Sequence, residues 1–526
     1  MSSGLSALPD GWMRARVGDL VDLIRGVTYP KDRASSEPKP GYLPILRATN
    51  ISDELNFEDL VFVPEGLVSA SQRLLAWDLV IAASSGSKSV VGKAAQLRGS
   101  WVGSFGAFCM GLRPSKAMEP RFLKYYFQTR EYRATVSDLA AGSNINNLKR
   151  EHIAELRLSL PPIAEQRRIA DRLDELLSDL EAGRVALVRA RATLKRYRAS
   201  VLKAAVEGRL TAAWREAHPD VEPASRLLER ILAERRKRWE ERQLAKFAEA
   251  GKAPPKGWQG KYPEPVTIDA SELPDLPNGW CWVSLDQIAE LVGGITKGQK
   301  RAGGEEVRSV AYLRVANVQR GFLDFSEIKT IEATPTEISE MRLQVGDILF
   351  NEGGDRDKLG RGWVWEGQIE ECIHQNHVFR ARLVLPELNP RLVSMHGNTF
   401  GKLWFQRAGK QSVNLASINL SILRRFPVPL APLKEQAEIG DCVDEQLRVL
   451  DRNAAEIELQ ARRVPLLRQV ILRRAFEGRL VPQNPKDEPA SILLERIRSA
   501  RLDGASKSSG SARKPARKAR RVRTSP

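Results

Sequence analysis

Residues placed to make or break bonds are scarce in this chain. The Gly-Lys pairs beginning at Gly92, Gly251, Gly401 and Gly409 lack the earlier glycine or the following Ser or Thr of a phosphate loop, so ATP hydrolysis is not expected. Pro161-Pro162 follows Leu160 rather than Asn or Asp, and no aromatic comes next, unlike the pocket in which an amino-methyltransferase holds a flipped base. His374 and His377 stand beside Cys372 at near-ligand spacing, but no second cluster completes four metal ligands. Glu327-Ile328-Lys329 fits only the tail of a nuclease motif, a triplet that chance supplies where 28% of residues are charged. No catalytic residue and no metal site is expected.

The chemistry that remains is recognition of a polyanion. The net charge is +18, and the last 26 residues supply +8 of it through nine Lys or Arg against Asp503 alone. The excess that survives removal of this tail favours nucleic acid as the partner. Arg47 and Thr49, with Arg314, fall at the ends of short apolar runs, and Ser84, Ser85, Ser87 and Lys88 form a polar loop suited to tracking phosphates. Asn144, Asn146, Asn147 and Lys149, and later Lys410, Gln411, Ser412 and Asn414, suit base edges, because Asn and Gln bond adenine bidentately and Lys reaches guanine. Arg356, Lys358 and Arg361 join them as basic candidates. Asn50 and Asn317 read instead as turn caps.

These candidates come in two sets because the chain is written twice. PPIAEQRRIADRLDELL to KAAVEGRL, residues 161–210, returns 270 positions later as APLKEQAEIGDCVDEQL to RRAFEGRL, with no gap between the matching ends. In the first copy Leu173, Leu180, Leu187, Leu194 and Val201 recur every seventh residue, a coiled-coil seam with Leu176, Ala190, Tyr197 and Ala204 as companions. The second copy keeps Val443, Leu450, Ile457, Val464 and Ile471, while Gln446, Asn453 and Gln460 spoil the companion set and move it to Leu447, Ala454 and Ala461. A helix of about forty residues is roughly 60 Å long, too long to bury its stripe on one small domain, so each helix is expected to partner the other. Gly183 weakens the first helix, and Pro465 is expected to kink the second.

The repeat extends outward. LPDGW at 8–12 and LPNGW at 276–280 open the two halves, with Trp12 and Trp280 as core anchors and VGDLVDLIRGVT or LDQIAELVGGIT following as a short amphipathic helix. LRATNI pairs with LRVANV as a strand ending in an Asn turn, and AWDLVIAASSGS pairs with VGDILFNEGGD as an acidic turn leading into an apolar strand. From about Lys88 to Leu139 and from Lys358 to Arg407 the copies do not align. EPASRLLERI and EPASILLERI start a helix after each long one, with Leu227, Leu228 and Ile231 as its docking side. After Asp503 the composition predicts disorder. Four scattered cysteines, no signal peptide and no membrane-length apolar run predict a reduced, cytoplasmic protein.

Two variable units, each followed by a long helix ending in EGRL and joined by a charged linker, resemble the specificity subunit of type I restriction-modification enzymes. The PPIAEQ and APLKEQ helix starts, the AVEGRL and AFEGRL ends and the LPxGW openings carry the resemblance. It implies an α+β fold of two globular target recognition domains of mixed α/β structure, separated by two long antiparallel coiled-coil helices in a pseudo-two-fold repeat. The expected layout is a recognition domain over 1–160, a spacer helix over 161–212, a charged linker with docking helix over 213–270, a second recognition domain over 271–428, a second spacer over 429–480, and a docking helix with basic tail over 481–526. The resemblance further implies a non-catalytic protein that binds the halves of a split asymmetric DNA sequence. Its implied partners are double-stranded DNA, two methyltransferase subunits carrying S-adenosylmethionine, and restriction subunits using ATP and Mg. A coiled-coil interaction protein without DNA specificity is the alternative, and a self-sufficient nuclease or methyltransferase is disfavoured by the missing motifs.

Overall fold

The computed structural model describes residues 8–87, 89–140, 147–296, 298, 306–354, 358–411 and 416–510. The chain divides into two compact units, Met1–Val188 with Glu458–Pro526, and Arg189–Ile457. Both boundaries fall inside the long helices Ile163–Val206 and Leu433–Phe476. Each unit therefore holds one variable region, the first half of its own long helix and the last half of the other. Among the described residues no helix is long and apolar enough to cross a membrane.

The two variable regions share one topology. In the first unit Met13–Arg16 pairs antiparallel with Arg157–Leu160. A four-stranded sheet runs Val21–Arg25, Cys109–Pro114, Leu79–Ala82, Ala94–Gln96, and a three-stranded sheet runs Val61–Pro64, Tyr42–Leu46, Ser104–Phe105 with the last pair parallel. The second unit repeats all three: Cys281–Ser284 with Pro427–Leu430; Ala289–Val292, Val378–Leu383, Ile348–Asn351, Gly362–Val364; and Lys329–Ala333, Arg308–Leu313, Cys372–His374. The apolar run LVIA needs two cores, because alternate side chains point to opposite faces. Leu79 and Ile81 join a core with the helices, while Val80 and Ala82 join Leu46, Phe105 and Cys109 on the other side. Ile348 and Phe350, against Leu349, divide in the same way.

The structure departs from the sequence expectations in several places. The segments expected as amphipathic helices make only one turn, Val17–Leu20 and Leu285–Ile288, before extending as strands. Val21–Arg25 and Ala289–Val292 find open edges on Cys109–Pro114 and Val378–Leu383, and the sheet hydrogen bonds outweigh weak helical periodicity. The stretches that do not align in sequence are equivalent in space. Arg113 donates to Asp78 at 2.7 Å as Arg382 donates to Asp347 at 2.7 Å, and Arg121 meets Asp174 at 2.9 Å as Arg391 meets Asp444.

The helical seam is also uneven. Leu173, Val201, Val443 and Leu450 are buried, but Leu180, Leu187, Leu194, Ile457, Val464 and Ile471 are half-buried, and Ala454 and Ala461 are exposed. Burial concentrates where a helix lies on its variable region. Helix Leu433–Phe476 runs unbroken through Pro465, and the first does so through Gly183. Finally, the backbone after Asp503 stays helical to Gly510, because extending a formed helix costs far less than nucleating one; residues 511–526 lie outside the described set.

The helix after each long helix closes a unit. Ala224–Glu249 packs Leu227 and Ile231 into the core of the second unit with its Ala224 N–H on Gly279 O at 2.8 Å. Ala490–Gly510 packs Leu493, Leu494 and Ile497 into the first, with Ala490 N–H on Gly11 O at 2.9 Å. Leu228, expected on the docking side, packs there partly buried.

Two predictions follow from this packing. Ile231→Ala and Ile497→Ala, at equivalent fully buried positions, should each cost about 2–5 kcal/mol in denaturant unfolding, whereas Ile492→Ala, at a position 39% exposed, should stay within about 0.5 kcal/mol. Equal effects at all three would mean that the closing helices are not docked. Burial also holds His374 down to about 4 and His396 down to about 3. The unfolded chain binds protons near the ordinary value of 6.5 while these folded imidazoles do not, so stability falls as pH drops from 6.5 towards 4. A His374→Asn, His396→Asn variant should flatten that part of a stability-versus-pH curve; an unchanged slope would count against the assignment.

Candidate nucleic-acid interface

In each unit three backbone segments meet at the end of the sheet, and hydrogen bonds between main-chain groups fix them. In the first, the turn Gly106–Cys109 is tied to strand Tyr42–Leu46 by Gly106 N–H on Leu46 O at 2.9 Å. Its Phe108 carbonyl accepts from Ala83 at 2.9 Å and Ser84 at 3.0 Å, the loop that follows strand Leu79–Ala82. Leu148 N–H then donates to Ala83 O at 2.7 Å and brings in the segment before helix Arg150–Ala154. In the second unit Gln375 N–H bonds Leu313 O at 2.9 Å, Glu352 N–H bonds His377 O at 2.9 Å, and Ile418 N–H bonds Glu352 O at 2.8 Å. A glycine lets a fourth strand approach this turn: a Cβ on Gly26 would stand 2.1 Å from Gly106 O, and one on Gly294 would stand 2.1 Å from His374 O.

Several sequence-derived candidates converge on this platform. Arg47 lies exposed at the strand end, its Nη2 on Asp59 O at 2.5 Å, with Thr49 exposed beside it. Ser84 bridges to Asn147, Ser85 Oγ accepts from the Ser87 N–H at 3.2 Å, and Ser87 Oγ meets Ser89 Oγ at 2.8 Å. Lys149 is exposed at the start of the short helix. Arg133 braces the loop from behind by donating to Val91 O at 3.0 Å and Ser89 O at 3.3 Å.

The second set is less uniform. Arg314 is half-buried, donating to Glu327 O at 3.2 Å with its ion pair to the same residue at 3.4 Å, and Arg361 donates to Val315 O at 3.2 Å, so both guanidinium groups are fastened to the fold. Lys358 sits in the turn whose carbonyl accepts from the Arg361 N–H at 3.3 Å. Lys410–Gln411 pairs with Ala416–Ser417, which also pairs with Gly353–Gly354. Lys88, Asn144, Asn146, Arg356, Ser412 and Asn414 lie outside the described residues. Asn50 and Asn317 are turn caps: each Oδ1 accepts from a backbone N–H three residues earlier, at 2.9 and 3.0 Å, and each Nδ2 donates to a carbonyl at 2.8 Å.

Sequence reasoning missed Phe108, His377 and Glu352. Phe108 is 69% exposed at the turn tip, and His377 stands in the same backbone position with its Nδ1 on the Glu352 carboxylate. The signal was hidden, since Gly-Ala-Phe-Cys and Gln-Asn-His-Val share no residue. His374 points elsewhere, its Nδ1 on Val378 O at 2.6 Å, and among the described residues no group of three His, Cys, Asp or Glu could hold a metal.

A family model described as the type I restriction modification DNA specificity domain matches residues 9–189. The specificity subunit of the type I restriction enzyme EcoKI from Escherichia coli strain K12 is 31% identical over 512 residues, 95% of this chain and 97% of that protein. That of StySPI from Salmonella potsdam is 32% identical over 516 residues, 95% and 98% of the two chains. Two solved structures share the fold at 16% identity: an HsdS subunit from Thermoanaerobacter tengcongensis, with a TM-score of 0.53 over 91% of this chain and 100% of that one, and a chain from a type I restriction-modification assembly, with 0.56 over 90% and 100%. With a duplicated framework and a likeness that runs nearly end to end, the chain belongs to the type I restriction enzyme specificity subunits, which recognise the DNA target.

Proposed function

We propose that this chain reads a bipartite, asymmetric DNA sequence, one half-site per unit, and carries no catalytic group of its own. Bond-making is assigned to partners: two modification subunits with S-adenosylmethionine, and restriction subunits with ATP and Mg. The observation that carries this reading is the platform itself, the same backbone presented twice with unlike side chains. Identical readers would select a symmetric sequence, whereas these would select different bases. Arg47, Thr49, Ser84, Ser85 and Ser87 suit phosphate contacts in the first half, with Asn147 and Lys149 on base edges. In the second half Lys358, Lys410 and Gln411 are the candidates, the last two by the place of their backbone on the platform, while Arg314 and Arg361 position its backbone. The long helices fix the number of unread base pairs between the half-sites.

Methylome sequencing of cells with and without the gene tests the reading directly; a bipartite methylated motif that disappears with the gene is expected, and a continuous or unchanged motif would overturn it. Inserting about one helical turn after Leu187 should change the length of the unread spacer and leave both half-sites alone. Lys149→Ala should weaken binding to the target by about 1–3 kcal/mol and to scrambled duplexes by less, as loss of a base contact does. An unchanged affinity for the target would make Lys149 a bystander.

A further inference from the structure

At the turn tip the two halves differ in chemistry at one backbone position. Phe108 and His377 occupy it, each with its carbonyl bonded to the residue after an apolar strand, Ala83 or Glu352. Phe108 leaves 69% of its surface in solvent, although its neighbours in the chain, Ala107 apart, are buried. A phenyl ring held out on a well-bonded turn, whose carbonyl accepts from Ala83 and Ser84, joins none of the hydrophobic cores among the described residues. In the second half the apolar tip is replaced by an imidazole whose side chain is 55% exposed and bonded to a carboxylate.

A protein partner present in two identical copies would need similar surfaces at the two equivalent positions. An asymmetric duplex would not. Among base edges in the major groove, only thymine offers an apolar group, its C5 methyl, and phenyl rings suit it. We propose that Phe108 is a specificity-determining residue that reads a thymine methyl in the half-site bound by the first unit, while the Glu352–His377 pair holds the equivalent position in the second and reads a hydrogen-bonding edge. This inference rests on the DNA-reading function proposed above.

The test uses the complex of this chain with its modification subunits and the target found by methylome sequencing. Each thymine of the target, in both half-sites, is replaced in turn by deoxyuridine, which removes the methyl group alone. One replacement, confined to one half-site, should weaken wild-type binding about fourfold, the worth of one buried methyl. Phe108→Ala should abolish that difference and leave the thermal melting unchanged, and Phe108→Leu should keep part of it. The proposal is overturned if the half-site lacks thymine, if discrimination against uracil persists in Phe108→Ala, or if that variant weakens target and scrambled DNA alike or blocks assembly. A wild-type complex that binds target and scrambled duplexes equally would instead defeat the DNA-reading function itself, and the inference with it.

Discussion

A buried carboxylate and a buried amide at the start of each long helix tie each unit together. Trp12 Nε1 donates to Glu165 Oε2 at 2.9 Å, and Trp280 Nε1 to Glu435 Oε2 at 2.9 Å. Beside them Gln166 and Gln436 donate to Pro161 O and Ala431 O, each at 2.9 Å, and accept the N–H groups of Glu119 and Asn389 at 3.1 and 3.0 Å. The opening turn, the helix that Glu119 or Asn389 caps (Pro120–Tyr126 or Pro390–Asn398) and the long helix thus converge on two adjacent residues. The first turn of a helix favours a carboxylate, but a buried one left without donors costs several kcal/mol, so the opening Trp cannot be moved without cost. Any error in the angle of the long helix would be transmitted along its whole length.

The two copies do not satisfy this cluster equally. Glu435 also accepts from Thr211 Oγ1 at 2.7 Å and from Arg215 at 2.8 Å. In the other half Val481 stands where Thr211 would, Glu165 Oε1 has no hydrogen-bond partner among the described residues, and burial raises the Glu165 carboxyl above its ordinary value. Arg168, which lies near enough to oppose that rise, is bonded to Asp487 at 2.6 Å. The two halves thus use cations at non-equivalent positions: Arg215 neutralises Glu435 directly, whereas Arg168 fastens the segment that leads to the closing helix.

The parts legible in the sequence were those whose side chains carry the structure. The Trp openings, the Glu-Gln helix starts and the EPAS helices recur because each makes a particular buried contact, and Asn50 and Asn317 recur because a turn needs their amides. The four-residue turn at Gly106 and at Gln375 was not legible, because its position is set by main-chain bonds that any residue can make. Val21–Arg25 and Ala289–Val292 were misread for a related reason: a helix of one turn leaves no periodicity to find, and the strand that follows is decided by a distant edge. The coiled-coil pattern was real but overstated. Leu187 and Leu194 keep the heptad while only half-buried, so periodicity marked the face and not the depth of packing.

The same division explains how a chain of this kind can tolerate change on its proposed DNA-reading platform. Buried polar ties fix the frame, and each would cost stability if altered, whereas Phe108, His377, Ser84 and Lys149 project from backbone that is bonded independently of them. Substitution at such positions leaves the main-chain bonds in place, so its cost to folding is small. Glu352 is the exception within this group, since its carboxylate holds His377 and its backbone holds two segments of the platform. The frame can therefore stay fixed in both halves while the residues it presents diverge, which is the condition for two different half-sites to be read by one duplicated fold.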